Sequence, residues 1–171
     1  MTDPMNEYKW FKRYFQLAFH VGTWSKDPST KVGAVIVGQD RRQMALGYNG
    51  FPPGIEDFPE RYADRPIKYA LTQHAERNVL DNAQFSCEGG TLVTTMFPCV
   101  ECTKSLIAKG IRCLVTPPMP PALPNEPSWR DNCQTSLAML DECRIRIVWF
   151  NPEHAGGSII GDRNNPERPD F

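Results

Sequence analysis

The sequence contains no apolar run approaching the roughly 18 residues that cross a bilayer, and no membrane association is expected. It has no excess of basic residues: 19 Lys and Arg stand against 20 Asp and Glu, a formal charge of −1. That balance offers no field to hold a long polyanion, so a polynucleotide partner is not expected, although a pocket for one phosphate needs only a few donors. The opening stretch MTDPMNEYKW is acidic and polar where a secretory leader is basic and then apolar. Export has no support, and a cytoplasmic setting is expected. Nor do the six cysteines make a disulfide framework. Cys87, Cys113, Cys133 and Cys143 are scattered, and the other two form a CxxC; without an export signal this usage favours free thiols or metal ligands. No internal repeat is present, and the one biased stretch is PPMPPALPNEP at 117–127.

What remains is a chain of 171 residues, 40% hydrophobic and 23% charged, which suits one soluble globular domain. The expected division is a domain over 1–150 and an irregular tail over 151–171, rich in Gly, Asn and Pro, that could pack against a neighbour. Trp10, Phe11, Tyr14, Leu17, Ala18 and Val21 recur at helical spacing and predict an opening helix that includes His20. VGAVIVG (32–38), the polar QDRR turn and QMALGY predict a hairpin. Residues 51–70, dense in Pro, aromatic and charged residues, read as a long ordered loop over a site. A helix starting near His74 is followed by a strand in TLVTTMF, a helix in VECTKSLIAKG ending at Gly110, and a strand in IRCLVT. A last helix through NCQTSLAMLDEC feeds the strand IRIVWF. Two strand–helix–strand alternations imply parallel crossovers, so the fold class is α/β with a central mixed sheet of about five strands.

The chemistry concentrates in two places. In LTQHAERNVL, His74 and Glu76 are two apart at a helix start, a spacing that does not share a helix face and so calls for another use. In TTMFPCVEC, Pro98 prepares a helix entry, and Cys99 and Cys102 at i and i+3 bring two sulfurs to one face. The positive end of a helix favours thiolate, the ligating form. One imidazole and two thiolates leave a fourth position open, which is the pattern of a catalytic rather than a structural zinc site. Zinc supplies a Lewis acid that activates water, and a carboxylate beside it can take the proton and return it to a substrate. H-x-E followed by P-C-x-x-C is the signature of zinc-dependent base deaminases, with His74, Cys99 and Cys102 as metal ligands and Glu76 as the acid and base.

Each element has a plainer account. His74 alone is a partly buried or capping histidine, and Cys99 and Cys102 alone are a redox pair, though a redox motif has no use for a distant HxE. The four remaining cysteines read as core or surface thiols. His20 and His154 have no ligand-like neighbour in sequence.

Four stretches, SKDPSTKVGAVIV (25–37), GYNGFPPG (47–54), HAERNVL (74–80) and TMFPCVEC (95–102), closely resemble the deoxycytidylate deaminase family, within the three-layer α/β/α cytidine deaminase-like fold. The resemblance extends from about Trp10 to Phe150. It implies hydrolysis of dCMP to dUMP with release of ammonia, supplying dUMP for thymidylate synthesis. It also implies one Zn²⁺ per chain, since residues 51–73 hold no Cys or His for a second. Among substrate-binding residues it implies Asn49 near the sugar and Lys26 near the phosphate. Gly47, Tyr48, Asn49 and Gly50 match a segment that borders an effector site, where dCTP activates and dTTP inhibits, each carrying Mg²⁺. A hexamer built from dimers is implied too, and Trp129 and an exposed IRIVWF edge are the expected covers for neighbouring subunits. Arg77 and Val79 depart from the more usual HAELNAI, which leaves the chemistry intact and alters packing or subunit contacts.

Other substrates stay open on the residues alone: a free nucleoside, a free base, or adenosine in RNA. The near-neutral charge speaks against RNA and GYNG against a bare base. A zinc-binding module without activity is the alternative of a different class.

Overall fold

The computed structural model describes residues 4–121, 127–151 and 158–163. Its sheet includes β1 (Gly33–Val37), second from one edge and buried along its whole length. β1 pairs antiparallel with β2 (Met44–Tyr48) on one side and with β3 (Thr91–Thr94) on the other. β4 (Cys113–Thr116) and β5 (Arg146–Asn151) continue from β3 in parallel, and β6 (Ser158–Asp162) closes the sheet antiparallel to β5. The order is β2-β1-β3-β4-β5-β6.

Alternation along the strands sends side chains to two faces, and both are covered. Val35, Val37, Val93, Val115, Val148 and Phe150 meet α1 (Pro4–Gly22) through Phe11, Tyr14, Phe15 and Ala18. The opposite face presents Ala34, Ile36, Leu92, Leu114 and Ile147 to the helices that carry the site. Those are α4 (Ala75–Asn82), α5 (Val100–Ala108) and α6 (Pro127–Glu142). Each fully buried aliphatic side chain contributes about 1.5–3 kcal/mol, so the three layers are held mainly by this burial. Gly110, at φ +75°, ends α5 in the left-handed conformation that suits glycine.

Residues 51–70 differ from the expected loop. They hold α2 (Pro59–Ala63) and the start of α3 (Arg65–Leu71). Pro59 and Pro66 sit in the first turns of these helices, where no N–H partner is lost, and Asp64 caps α3 by accepting from Ile67 N at 3.1 Å. IRIVWF is not an edge either: β5 has neighbours on both sides, and Ile147, Val148 and Phe150 are fully buried. The expected irregular tail contributes β6, which brings the expected sheet of about five strands to six. Trp129, in the first turn of α6, is half-buried against the core. His154 and residues 122–126, 152–157 and 164–171 lie outside the described residues.

An ionic knot fixes β6. Arg146 Nη2 and Nε donate to Asp162 at 2.6 and 3.2 Å, Arg146 Nη1 donates to Glu7 at 2.9 Å, and the Tyr8 hydroxyl donates to Asp162 at 2.9 Å. At the opposite edge, Asn78 and Asn82 of α4 donate to the carbonyls of Tyr48 and Leu46 at 2.8 and 3.0 Å, occupying acceptors of β2 that face away from β1. Among the described residues no helix is long and apolar enough to cross a membrane.

Candidate metal centre and its clefts

His74 caps α4 with an extended backbone, and the residue before it is pinned to GYNG. Gly50 N donates to the Gln73 carbonyl at 3.1 Å and Gln73 N to the Gly50 carbonyl at 2.8 Å. Past the end of β3, Thr95 exchanges backbone and side-chain bonds with Gly33, each at 3.0 Å, which fixes the chain as it approaches Pro98. Cys99 then caps α5, its sulfur accepting from Cys102 N at 3.5 Å. Two helix starts, 25 residues apart, thus meet at one point.

His74 Nδ1 lies 3.5 Å from Cys99 Sγ and 3.4 Å from Cys102 Sγ. Zn–N near 2.05 Å and Zn–S near 2.3 Å at a tetrahedral angle require an N···S separation of about 3.6 Å, so the donors stand at ligating distances from one centre. The set, one borderline imidazole and two soft thiols, fits Zn²⁺ rather than a hard cation. Both sulfurs are buried while the imidazole is exposed to the cleft, which leaves one side of the cluster open.

The two thiols differ. Cys99 is pulled down to about 4 by the hydrogen bond from Cys102, with His74 assisting against burial, and is thiolate at neutral pH. Cys102 is pushed up by that same bond and by burial, and a dication held there would displace its proton. His74 is raised by its bond to Cys99, against burial. Glu76 is buried and lies beside the cluster, one carboxylate oxygen 3.7 Å from Cys102 Sγ. Burial raises its carboxyl, opposed by His74, which moves it toward the range in which a group both takes and gives protons.

The cluster opens into a cleft of about 400 Å³ walled by Asp27, Asn49, Lys68, Phe97 and Trp129. Asn49 is buried; its Oδ1 accepts from Val32 N and its Nδ2 donates to the Thr30 carbonyl, both at 2.8 Å. One N–H and one lone pair are left for another partner. Tyr48 and Gly50 face a second cleft, of about 410 Å³, on the other side of the GYNG segment. Lys26 is there too, 68% exposed and paired with Asp57 at 2.7 Å, and does not line the zinc cleft. Gly47 faces neither: a Cβ there would stand 2.5 Å from Val79 N, so its close approach is to α4. Val79, one of the departures from HAELNAI, is fully buried at that contact, whereas Arg77 is exposed.

Sequence reasoning missed Asp27, Lys68 and Asn132. Asp27 sits in DPST, whose short polar run signals a side-chain-capped turn, and it accepts from Ser29 N and Thr30 N at 2.8 and 3.1 Å. Lys68 and Asn132 carry no local signal. All six cysteines are free, with Cys87, Cys113 and Cys133 buried.

Residues 8–116 match the family described as the cytidine and deoxycytidylate deaminase zinc-binding region. The chain belongs to that family. Among relatives of this deaminase, a protein named an uncharacterized deaminase of the luxG 3′ region in Aliivibrio fischeri is 38% identical over 142 residues, covering 83% of this chain and 94% of that one. The deoxycytidylate deaminase of Mus musculus is 36% identical over 110 residues, 61% of this chain, and the match spans 62% of the mouse protein. The fold is shared with the dCMP deaminase of cyanophage S-TIM5, at a TM-score of 0.61 and 20% identity over 81% of this chain and 95% of that one. The family's zinc-binding description and the His/Cys/Cys donor set together support Zn²⁺, and family membership makes the protein a hydrolytic deaminase.

Proposed function

We propose that the protein converts dCMP to dUMP and ammonia. The observation that carries this is the convergence of His74, Cys99 and Cys102 at ligating distances beside a buried Glu76, at the floor of a cleft large enough for a nucleotide base and sugar. The name of the mouse relative supports the choice of substrate.

His74 and the two thiolates would hold Zn²⁺, which supplies the Lewis acidity that makes water a nucleophile. Glu76 takes a proton from the attacking water and delivers it to N3 of the cytosine. The C4–O bond forms as the ring accepts that proton. Glu76 then passes the second proton to the amino group, the C4–N4 bond breaks, and ammonia leaves. Asn49 offers its remaining N–H and lone pair to the sugar.

The second cleft is proposed as the effector site, for dCTP as activator and dTTP as inhibitor, with Mg²⁺ moderating the triphosphate charge. What supports it is the GYNG segment: Asn49 faces one cleft while Tyr48 and Gly50 face the other, so a shift of three residues changes both. Lys26 belongs with that cleft in this scheme. A homohexamer, a cytoplasmic setting and a role in supplying dUMP for thymidylate synthesis complete it.

Ammonia release from dCMP, deoxycytidine, cytosine and a short structured RNA, with zinc loaded, tests the substrate. Fastest turnover per unit concentration on dCMP is expected, and equal or better turnover of another member overturns the choice. Saturation curves for dCMP with dCTP or dTTP and Mg²⁺ test regulation; curves that superimpose remove it.

A further inference from the structure

Among the described residues that line the zinc cleft, Lys68 is the one lysine or arginine. It lies on α3 six positions before His74, so one short segment brings an ammonium and the imidazole to the same cleft. Its Nζ is 2.8 Å from both carboxylate oxygens of Asp27 and 2.6 Å from Ser29 Oγ. Both partners of the ion pair are buried, with side-chain exposures of 9% and 2%. A buried pair is a poor source of stability, because desolvation offsets most of its attraction, so its place on the wall of a reaction cleft calls for a use.

The geometry supplies one. Asp27 Oδ1 also accepts from Ser29 N, Ser29 Oγ and Thr30 N, so the carboxylate is fixed in direction and much of its charge is spread over fixed donors. Ser29 Oγ accepts from Lys68 while donating to Asp27, which closes a small rigid ring. Three acceptor atoms, Asp27 Oδ1 and Oδ2 and Ser29 Oγ, stand within 2.8 Å of the ammonium's three N–H groups, so a phosphate oxygen arriving from the cleft takes the place of one of them. Thr30 and Thr72 line the cleft beside it. A compact, oriented cation next to hydroxyl-bearing residues suits a phosphate oxygen.

We propose that Lys68 holds the 5′-phosphate of the substrate, with Asp27 and Ser29 as positioning residues, and thereby makes the cleft prefer a nucleotide to a nucleoside. This rests on the reading of the cleft as a dCMP site. It differs from the expectation that Lys26 serves the phosphate, because Lys26 lines the other cleft and is paired with Asp57.

The test is the ratio of kcat/KM for dCMP to that for deoxycytidine, measured in zinc-loaded wild type, D27N, K68R and the double variant D27N/K68M. The double variant removes both charges together, so neither is left buried alone. It should lose tenfold or more of kcat/KM on dCMP and less than threefold on deoxycytidine. D27N, which leaves the ammonium, should keep more of the preference, and K68R, which keeps the charge but moves it, should lower the ratio several-fold. Zinc content and thermal melting report whether each variant is folded. A wild-type ratio in both the folded double variant and K68R overturns the assignment, and if the double variant does not fold, an unchanged ratio in K68R does so alone. A wild type that turns over deoxycytidine as well as dCMP removes the mononucleotide reading itself, a separate failure visible before any variant is made.

Discussion

The backbone N–H of Val100 donates to Asn132 Oδ1 across 2.9 Å, so the first turn of α5, which carries both sulfur donors, is capped by a side chain from α6. The cap serves a helix start that must stay in register with His74. Asn132→Ala should cost about 1 kcal/mol of stability, the typical worth of a cap. It should also weaken zinc binding several-fold, read by competition with a chromophoric chelator. A lower melting temperature with unchanged zinc affinity would confine Asn132 to the helix.

Glu76→Gln keeps the size of the buried side chain and removes its proton chemistry. Turnover should fall by about 10²–10⁴-fold, the usual worth of a positioned acid and base, with zinc content unchanged. Activity within tenfold of wild type would remove Glu76 from its role.

Zinc binding should release protons, because Cys102 is held as a thiol by its bond to Cys99 and by burial. Protons compete with the metal, so affinity should fall as pH falls. Calorimetry in two buffers of different ionisation enthalpy reads the proton count. Cys102→Ser should abolish stoichiometric zinc, and wild type stripped by a chelator should regain turnover when zinc is restored.

Gly47→Ala places a methyl 2.5 Å from Val79 N and 2.8 Å from its Cα, both backbone atoms of α4 that have no easy retreat. A loss of about 1–3 kcal/mol is expected, with a melting temperature several degrees lower. Because Asn49 follows two residues later, KM should rise as well. A variant as stable as wild type would show that α4 yields freely at this contact.

Asp27 has its carboxyl held below the ordinary value of 3.8, since bonds from Lys68, Ser29 and Thr30 outweigh the opposing effect of burial. A depressed folded value means that its stabilisation is complete above the unfolded value and is lost as pH falls through the folded one. Asp27→Asn cannot titrate. The stability difference between wild type and this variant should therefore be constant from pH 7 to about 5 and shift against wild type below about 4. A difference that stays constant to pH 2.5 contradicts the linkage.

The metal centre was legible because each half is local. A histidine at a helix start and two cysteines one turn apart are recognisable from spacing, and the sheet only had to bring two helix starts together. The hairpin and parallel crossovers were legible for the same reason, since period-2 runs and helical stretches alternate in order. Lys68 and Asp27 are 41 residues apart and meet only after folding, so neither residue type nor spacing announces them. β6 was hidden because its pairing depends on a buried carboxylate, Asp162, that finds Arg146 across the sheet, while its sequence SIIGD is short and ends in residues that disfavour strands. α2 and α3 were concealed by prolines that initiate helices as readily as they interrupt them.

The knot of Glu7, Tyr8, Arg146 and Asp162 has a consequence for synthesis on the ribosome. α1 leaves the exit tunnel before the strands do, yet the partner of its Tyr8 hydroxyl is 154 residues further along the chain and is translated that much later. At about 5–20 residues per second that is an interval of roughly 8–30 s in which Phe11, Tyr14 and Phe15 have no complete sheet to cover them. The growing chain is thus an apolar helix waiting for its strands, and a nascent polypeptide stalled before β5 should be a better chaperone client than one released after β6.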